Sequence, residues 1–203
     1  MKLVVCRSLI NETGAGDELL VGDISTECAS AWIVGIVNLI FSVSFLIGVL
    51  ILRQIIRNDS SVDTSRYNKP WIHVLGHILR SIGCLFLCFW TLCEIGEAIL
   101  SDLIVKEISL YLYVPLFVQF IGSVLLMIYI HYVEQSIRPK CMHLVWLYLL
   151  CAAAAKGFYV YSLFLLGLGV PHLRFDFTWN IIVNYLLLFV LETVVWCMWV
   201  SKT

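Results

Sequence analysis

The 203-residue chain is short of charge: 13 % of its residues are Asp, Glu, Lys or Arg, against 61 % hydrophobic, and its mean hydropathy is +0.95. Soluble domains carry about 25 % charged residues, so an aqueous globule is excluded and the solvent is a bilayer. Net charge is also small, at −1, which removes any overall attraction to nucleic acid. The chain has no Gly-rich loop ending in Gly-Lys-Ser/Thr and no nucleophile-and-base constellation on a plausible framework, so it reads as neither an ATPase nor another enzyme, with no cofactor. No internal repeat is found, which leaves the inverted-repeat architecture of many transporters without support. The first ten residues are broken by Cys6 and Arg7 with no small-residue cleavage site after them. They do not read as a cleaved leader, so the first span must act as its own insertion signal.

What is present is a set of five apolar runs. The expectation is an all-α membrane protein, a bundle of five transmembrane helices at about 31–52, 71–100, 109–133, 142–166 and 178–200, preceded by a polar tail over 1–29. The tail carries five acidic and two basic side chains, with Gly14 and Gly16 near its middle and too little apolar surface to fold alone. Ala31 to Leu52 is 22 residues, about 33 Å of helix, enough to cross the hydrocarbon with slight tilt. The second run is entered through Lys69-Pro70-Trp71, where proline suits a first helical position and tryptophan the headgroup layer. Orientation follows from Lys and Arg: Arg53, Arg57, Arg66, Lys69, Arg138, Lys140 and Lys202 fall on one side, and Lys2, Arg7, Lys106 and Arg174 on the other. Positive-inside puts the amino terminus outside and the carboxyl terminus in the cytoplasm.

That orientation sets the chemistry of the tail. Cys6 and Cys28 lie on the oxidising side, and a bridge between them closes a loop of about 22 residues, worth about 3 kcal/mol by chain entropy. Two acceptor sequons, Asn11-Glu12-Thr13 and Asn58-Asp59-Ser60, fall on opposite faces, so only Asn11 is expected to carry a glycan.

Within the spans, a projection at 100° per residue collects Gly76, His77, Arg80, Cys84, Cys88, Thr91, Glu94 and Ala98 in one stripe of the second helix, about 120° wide, opposite Leu, Ile and Phe. This stripe faces protein. His73 with His77, or Cys84 with Cys88, has metal-ligand spacing but no further ligand at the same depth, so polar residues satisfying one another is the reading and no metal is expected. Glu94, Lys156 and Glu192 are ionisable residues well inside the hydrocarbon, where an unpaired charge costs several kcal/mol. Helical rise puts Glu94 about 9 Å and Lys156 about 15 Å from the outer ends of their spans, within reach through the lysine stem; Glu94 with Lys156 is therefore the expected pair. A proton or substrate relay would use the same residues, but scattered carboxylates without a repeat or broken helices favour a structural pair. In the first span Ala31, Gly35, Asn38 and Ser42 form a small or polar seam that permits close helix approach, either to the other four helices or to a separate partner.

Two segments resemble a known family. Trp71, His73, Gly76, His77, Leu79 and Arg80 spell W-x-H-x-x-G-H-x-L-R, and Cys93 to Asp102 reads CEIGEAILSD. Both are similar to the amino-terminal five-helix domain of the sulfonylurea receptors, ABC-transporter subfamily C proteins that regulate ATP-sensitive potassium channels. Further similarities are Leu110-Tyr111-Leu112-Tyr113-Val114-Pro115, Lys156, the Leu173-Arg174-Phe175 run, and a tail with Cys6, Cys28 and an early sequon at Asn11. The resemblance covers essentially the whole chain, is strongest from Trp71 to Pro115 and is weak in spans one and five. The broader multidrug-resistance-like exporters share the five-helix leader and tail cysteines but not the two longer motifs.

The resemblance implies a docking domain at the plasma membrane, reached through the endoplasmic reticulum. Its partners would be inward-rectifier potassium channel subunits, the ABC core of a longer chain, and membrane lipids. It assigns the Ala31, Gly35, Asn38 and Ser42 seam to the channel interface, and residues 53–69 and 134–140 to the cytoplasm near the channel's terminus and anionic lipids. The basic linker that should follow span five is missing, which implies a fragment or a truncated protein. The alternatives are a trafficking leader of an exporter, or a small membrane enzyme or carrier built around His77, Glu94 and Lys156. The glycan tests the orientation: glycosidase treatment should shift the protein's mobility in the parent and in Asn58→Gln but not in Asn11→Gln, and the reverse pattern would invert the topology.

Overall fold

The computed structural model describes the backbone of residues 2–4, 18–58, 71–105, 107–136, 142–165 and 172–200, and side chains within 28–57, 74–104, 112–133, 143–164 and 176–197. In chain order the elements are a short strand β1 (Lys2–Val4), helix α1 (Glu18–Asn58), α2 (Trp71–Val105), strand β2 (Glu107–Ser109), α3 (Leu110–Ser136), α4 (Met142–Leu165) and α5 (His172–Val200). All five helices are long and apolar enough to cross a membrane. In lipid each must satisfy its backbone internally, which is why long uninterrupted helices are the outcome.

Four boundaries differ clearly from the sequence-based expectation. α1 begins at Glu18 rather than near Ala31 and runs on to Asn58 rather than ending at Leu52, α2 runs on to Val105, and α5 begins at His172 rather than at Thr178. Each extension lies beyond the hydrophobic run that hydropathy detects, in polar sequence that continues the helix without a stop signal. The second difference is β1, which pairs in parallel with β2, Leu3 against Ile108. The amino-terminal stretch is thereby tied to the connection between α2 and α3, at what is called below the tail end of the bundle; the opposite end is the far end.

The helices close into a ring. α1 packs on α3 and α4, α3 on α2, α2 on α5, and α5 on α4. Sequence neighbours are not always ring neighbours: α1 and α2 are separated by α3. The ring is drawn tight where small residues let backbones approach, the usual currency of helix packing in lipid. Gly35 lies against Pro115, so that a Cβ on it would sit 3.2 Å from the proline Cα. Pro115 itself lies inside α3, where it removes one backbone donor. Gly122 faces Ser42 and Asn38, and Gly48 faces the Tyr129 ring. Aromatic rings fill the interior: Phe45, fully buried, contacts Tyr129 and Tyr148, each with centroids 5.1 Å apart.

A Cβ at Gly48 would approach the Tyr129 ring to 2.5 Å, whereas one at Gly96 meets nothing within 4 Å. Gly48→Ala should therefore lower stability by about 1–3 kcal/mol through overpacking, and Gly96→Ala should leave it unchanged or raise it by up to about 1 kcal/mol through helix propensity. Unfolding in detergent, followed by circular dichroism, measures both.

Candidate functional site

The interior of the ring is lined by polar side chains in three layers. Nearest the tail end, Lys156 Nζ of α4 stands 2.7 Å from Glu94 Oε2 of α2, and the two side chains are 2 % and 3 % exposed. The Thr178 hydroxyl of α5 donates to Glu94 Oε1 at 2.5 Å. The ammonium also lies 5.5 Å over the Tyr159 ring, a favourable cation–π distance. This bond crosses the ring, since α2 and α4 are not packing neighbours.

The middle layer is uncharged. Tyr148 of α4 donates to Asn38 Oδ1 of α1 at 2.8 Å and lies 3.3 Å from the Tyr185 hydroxyl of α5. Asn38 Nδ2 in turn donates to Val34 O, and Ser42 Oγ to Asn38 O. Gln119 Nε2 of α3 donates to Thr91 Oγ1 of α2 at 3.1 Å. All five helices contribute a hydroxyl or an amide to this layer's buried interior, and Ser123, fully buried beside it on α3, donates to Gln119 O.

Toward the far end lies a second ion pair. Arg80 Nη1 stands 3.3 Å from Glu192 Oε2 and 3.4 Å from Oε1, both side chains 1 % exposed, and Arg80 Nε donates to Gly76 O. Sequence reasoning placed Arg80 in the inward stripe but left Glu192 unpaired. The signal was available: Arg80 is the tenth residue of α2 and Glu192 the ninth from the end of α5, so antiparallel helices put them at equal depth.

The stripe of α2 turns inward: Gly76, Arg80, Cys84, Thr91, Glu94 and Ala98 are buried, and His77 and Cys88 half-buried. Its opposite face, including Leu85, Phe86 and Phe89, is more than half exposed. Glu97 and Asp102 are also buried, which hydropathy and the stripe projection did not anticipate. Among the described residues no three His, Cys, Asp or Glu side chains converge as metal ligands.

The seam of α1 requires a correction. Ala31, Gly35, Asn38 and Ser42, assigned by resemblance to a partner interface, are all buried against α3 and α4. The reason is physical: Asn38 and Ser42 have hydrogen bonds to satisfy and Gly35 leaves room for Pro115, needs that the bundle meets and a lipid-facing or shared surface would not. The face of α1 left outside is aliphatic: Ile33, Ile36, Leu39, Ile40, Val43 and Ile47. Cys28 is buried at the tail end; Cys6, Asn11 and the side chains of residues 58–73 and 134–141 lie outside the described residues.

Among the described residues, Glu94 with Lys156 and Arg80 with Glu192 are buried as opposite charges. No family model matches the chain. Over 126 residues, 62 % of its length, it is 31 % identical to ATP-binding cassette sub-family C member 8 of Rattus norvegicus and of Cricetus cricetus, and 32 % identical to that of Homo sapiens. The likeness is to a membrane region of sub-family C ABC proteins. This agrees with the receptor resemblance carried by its motifs. The matched stretch is 8 % of the length of these sub-family C relatives, so the likeness concerns one membrane domain of a much longer protein.

Removing one partner of a buried pair strands the other charge, at about 3–5 kcal/mol, while replacing both costs far less. Lys156→Met should therefore destabilise the bundle more than the double variant Glu94→Gln with Lys156→Met, and Arg80→Met more than Arg80→Met with Glu192→Gln. Melting temperatures of the purified variants in detergent read the difference; equal losses in single and double variants would mean the charges are not coupled.

Proposed function

We propose that the chain is a channel-regulatory leader domain of a sulfonylurea-receptor-like ABC protein, one that docks on an inward-rectifier potassium channel and supports its assembly, surface delivery and gating. The observation that carries this reading is the 31 % identity to sub-family C member 8 over 126 residues of the chain. The two buried ion pairs support it, because Glu94 with Lys156 and Arg80 with Glu192 are charges arranged to hold a shape. The domain catalyses nothing by itself in this reading.

The docking surface is then the outward face of α1, since the inward seam is occupied. Positive-inside places the tail end outside the cell and residues 59–70 and 137–141 in the cytoplasm. In the tail, Cys6 is taken as the partner of Cys28, a reading supported by the bonded state of Cys28 and by the oxidising side on which both cysteines fall. Asn11 carries the glycan.

Co-expression with tagged inward-rectifier subunits tests the reading. Co-purification and a raised surface level of the channel are expected. Val43→Trp, on the exposed face of α1, should weaken the association while leaving the melting temperature unchanged. Failure of the parent chain to co-purify with any such subunit would remove the channel and leave the exporter-type trafficking leader.

A further inference from the structure

One histidine pair stands apart from the three polar layers. His77 lies in the second turn of α2 and His131 near the end of α3; the helices run antiparallel, so both rings sit at the far end, His77 half-buried and His131 exposed. His131 Nδ1 is 3.5 Å from His77 Nε2, with ring centroids 5.5 Å apart and planes inclined by 36°. That separation is long for a hydrogen bond, whose heavy atoms prefer about 2.9–3.0 Å. It is close to what two ligands of one ion require: with zinc–nitrogen distances of about 2.0–2.1 Å and a tetrahedral angle, the nitrogens lie about 3.4 Å apart.

We propose that His77 and His131 form a divalent transition-metal site, taking Zn²⁺ between the two imidazoles with water in the remaining positions, and so clamping α2 to α3 at the far end. Imidazole nitrogen is a favoured donor for zinc. Arg80, one turn along α2 from His77, is held against Glu192, so its charge is neutralised toward an approaching dication. Exposure of His131 opens the site to the aqueous headgroup layer, which supplies the water ligands. With two protein ligands rather than the three or four of permanent zinc sites, the ion is held reversibly. Its effect would be mechanical: α3 leads directly into the connection containing Arg138, Pro139 and Lys140, and a clamp beside its last turns fixes where that connection departs.

The full chain, purified in detergent without metal, is titrated with Zn²⁺ while its thermal unfolding is followed. A saturable rise in melting temperature is expected for the parent and is lost in His77→Ala and in His131→Ala. Because His131 is exposed, His131→Ala should keep the metal-free melting temperature of the parent; His77→Asn, which retains a polar group in a half-buried position, replaces His77→Ala if the latter fails to fold. Absence of a rise in the parent overturns the proposal. So does a rise that survives in the histidine variants, which would place the ion on thiols such as the exposed Cys197.

Discussion

Lys156 is a charged amine, 2 % exposed, in the middle of a helix that crosses the hydrocarbon, and its bond to Glu94 is what makes the rest of the arrangement possible. Neither group can be left alone in lipid, and neither α2 nor α4 packs on the other, so the bond must be made across the centre of the ring. That requirement brings the helices round until α5, lying between α2 and α4, supplies Thr178 to the free carboxylate oxygen. Arg80 and Glu192 impose the same condition near the far end. Two pairs at different depths hold α2, α4 and α5 in rotation and vertical position, because sliding any of these three by one turn would strand a charge.

Between the pairs, the uncharged layer of Asn38, Tyr148 and Tyr185 extends the constraint to α1, which among its described residues brings no ionised group of its own to the interior. Packing in lipid lacks the hydrophobic drive that operates in water, so close contact and hydrogen bonds must hold α1 in place. Gly35 against Pro115 supplies the contact and Asn38 with Tyr148 the bond. Once these small and polar residues are used inside, the outside of α1 is left as a smooth aliphatic surface, suited to lipid or to another apolar helix.

Much of this was legible in the residues. The number of helices and their cores followed from hydropathy, since a bilayer admits so few alternatives. The inward stripe of α2 followed from its period, and the partnership of Glu94 and Lys156 from the depth at which each lies. Other features were not legible. Helical continuation to Glu18 and from His172 lies in polar sequence, to which hydropathy is blind. Glu192 could be matched to Arg80 only by knowing that α5 is the neighbour of α2, and the small-residue seam of α1 was compatible with either an internal or an external partner until that neighbour was seen to be α3.

By itself, then, the sequence determined that five helices cross a membrane and which face of α2 turns away from lipid, because transfer of charged and polar groups into hydrocarbon is costly whatever surrounds the helix. The tertiary structure alone decided the order of helices around the ring, the pairing of Arg80 with Glu192 and the side of α1 that remains available. These depend on which helices are neighbours, and a helix records in its own sequence that it has a polar face to satisfy, not which other helix will satisfy it.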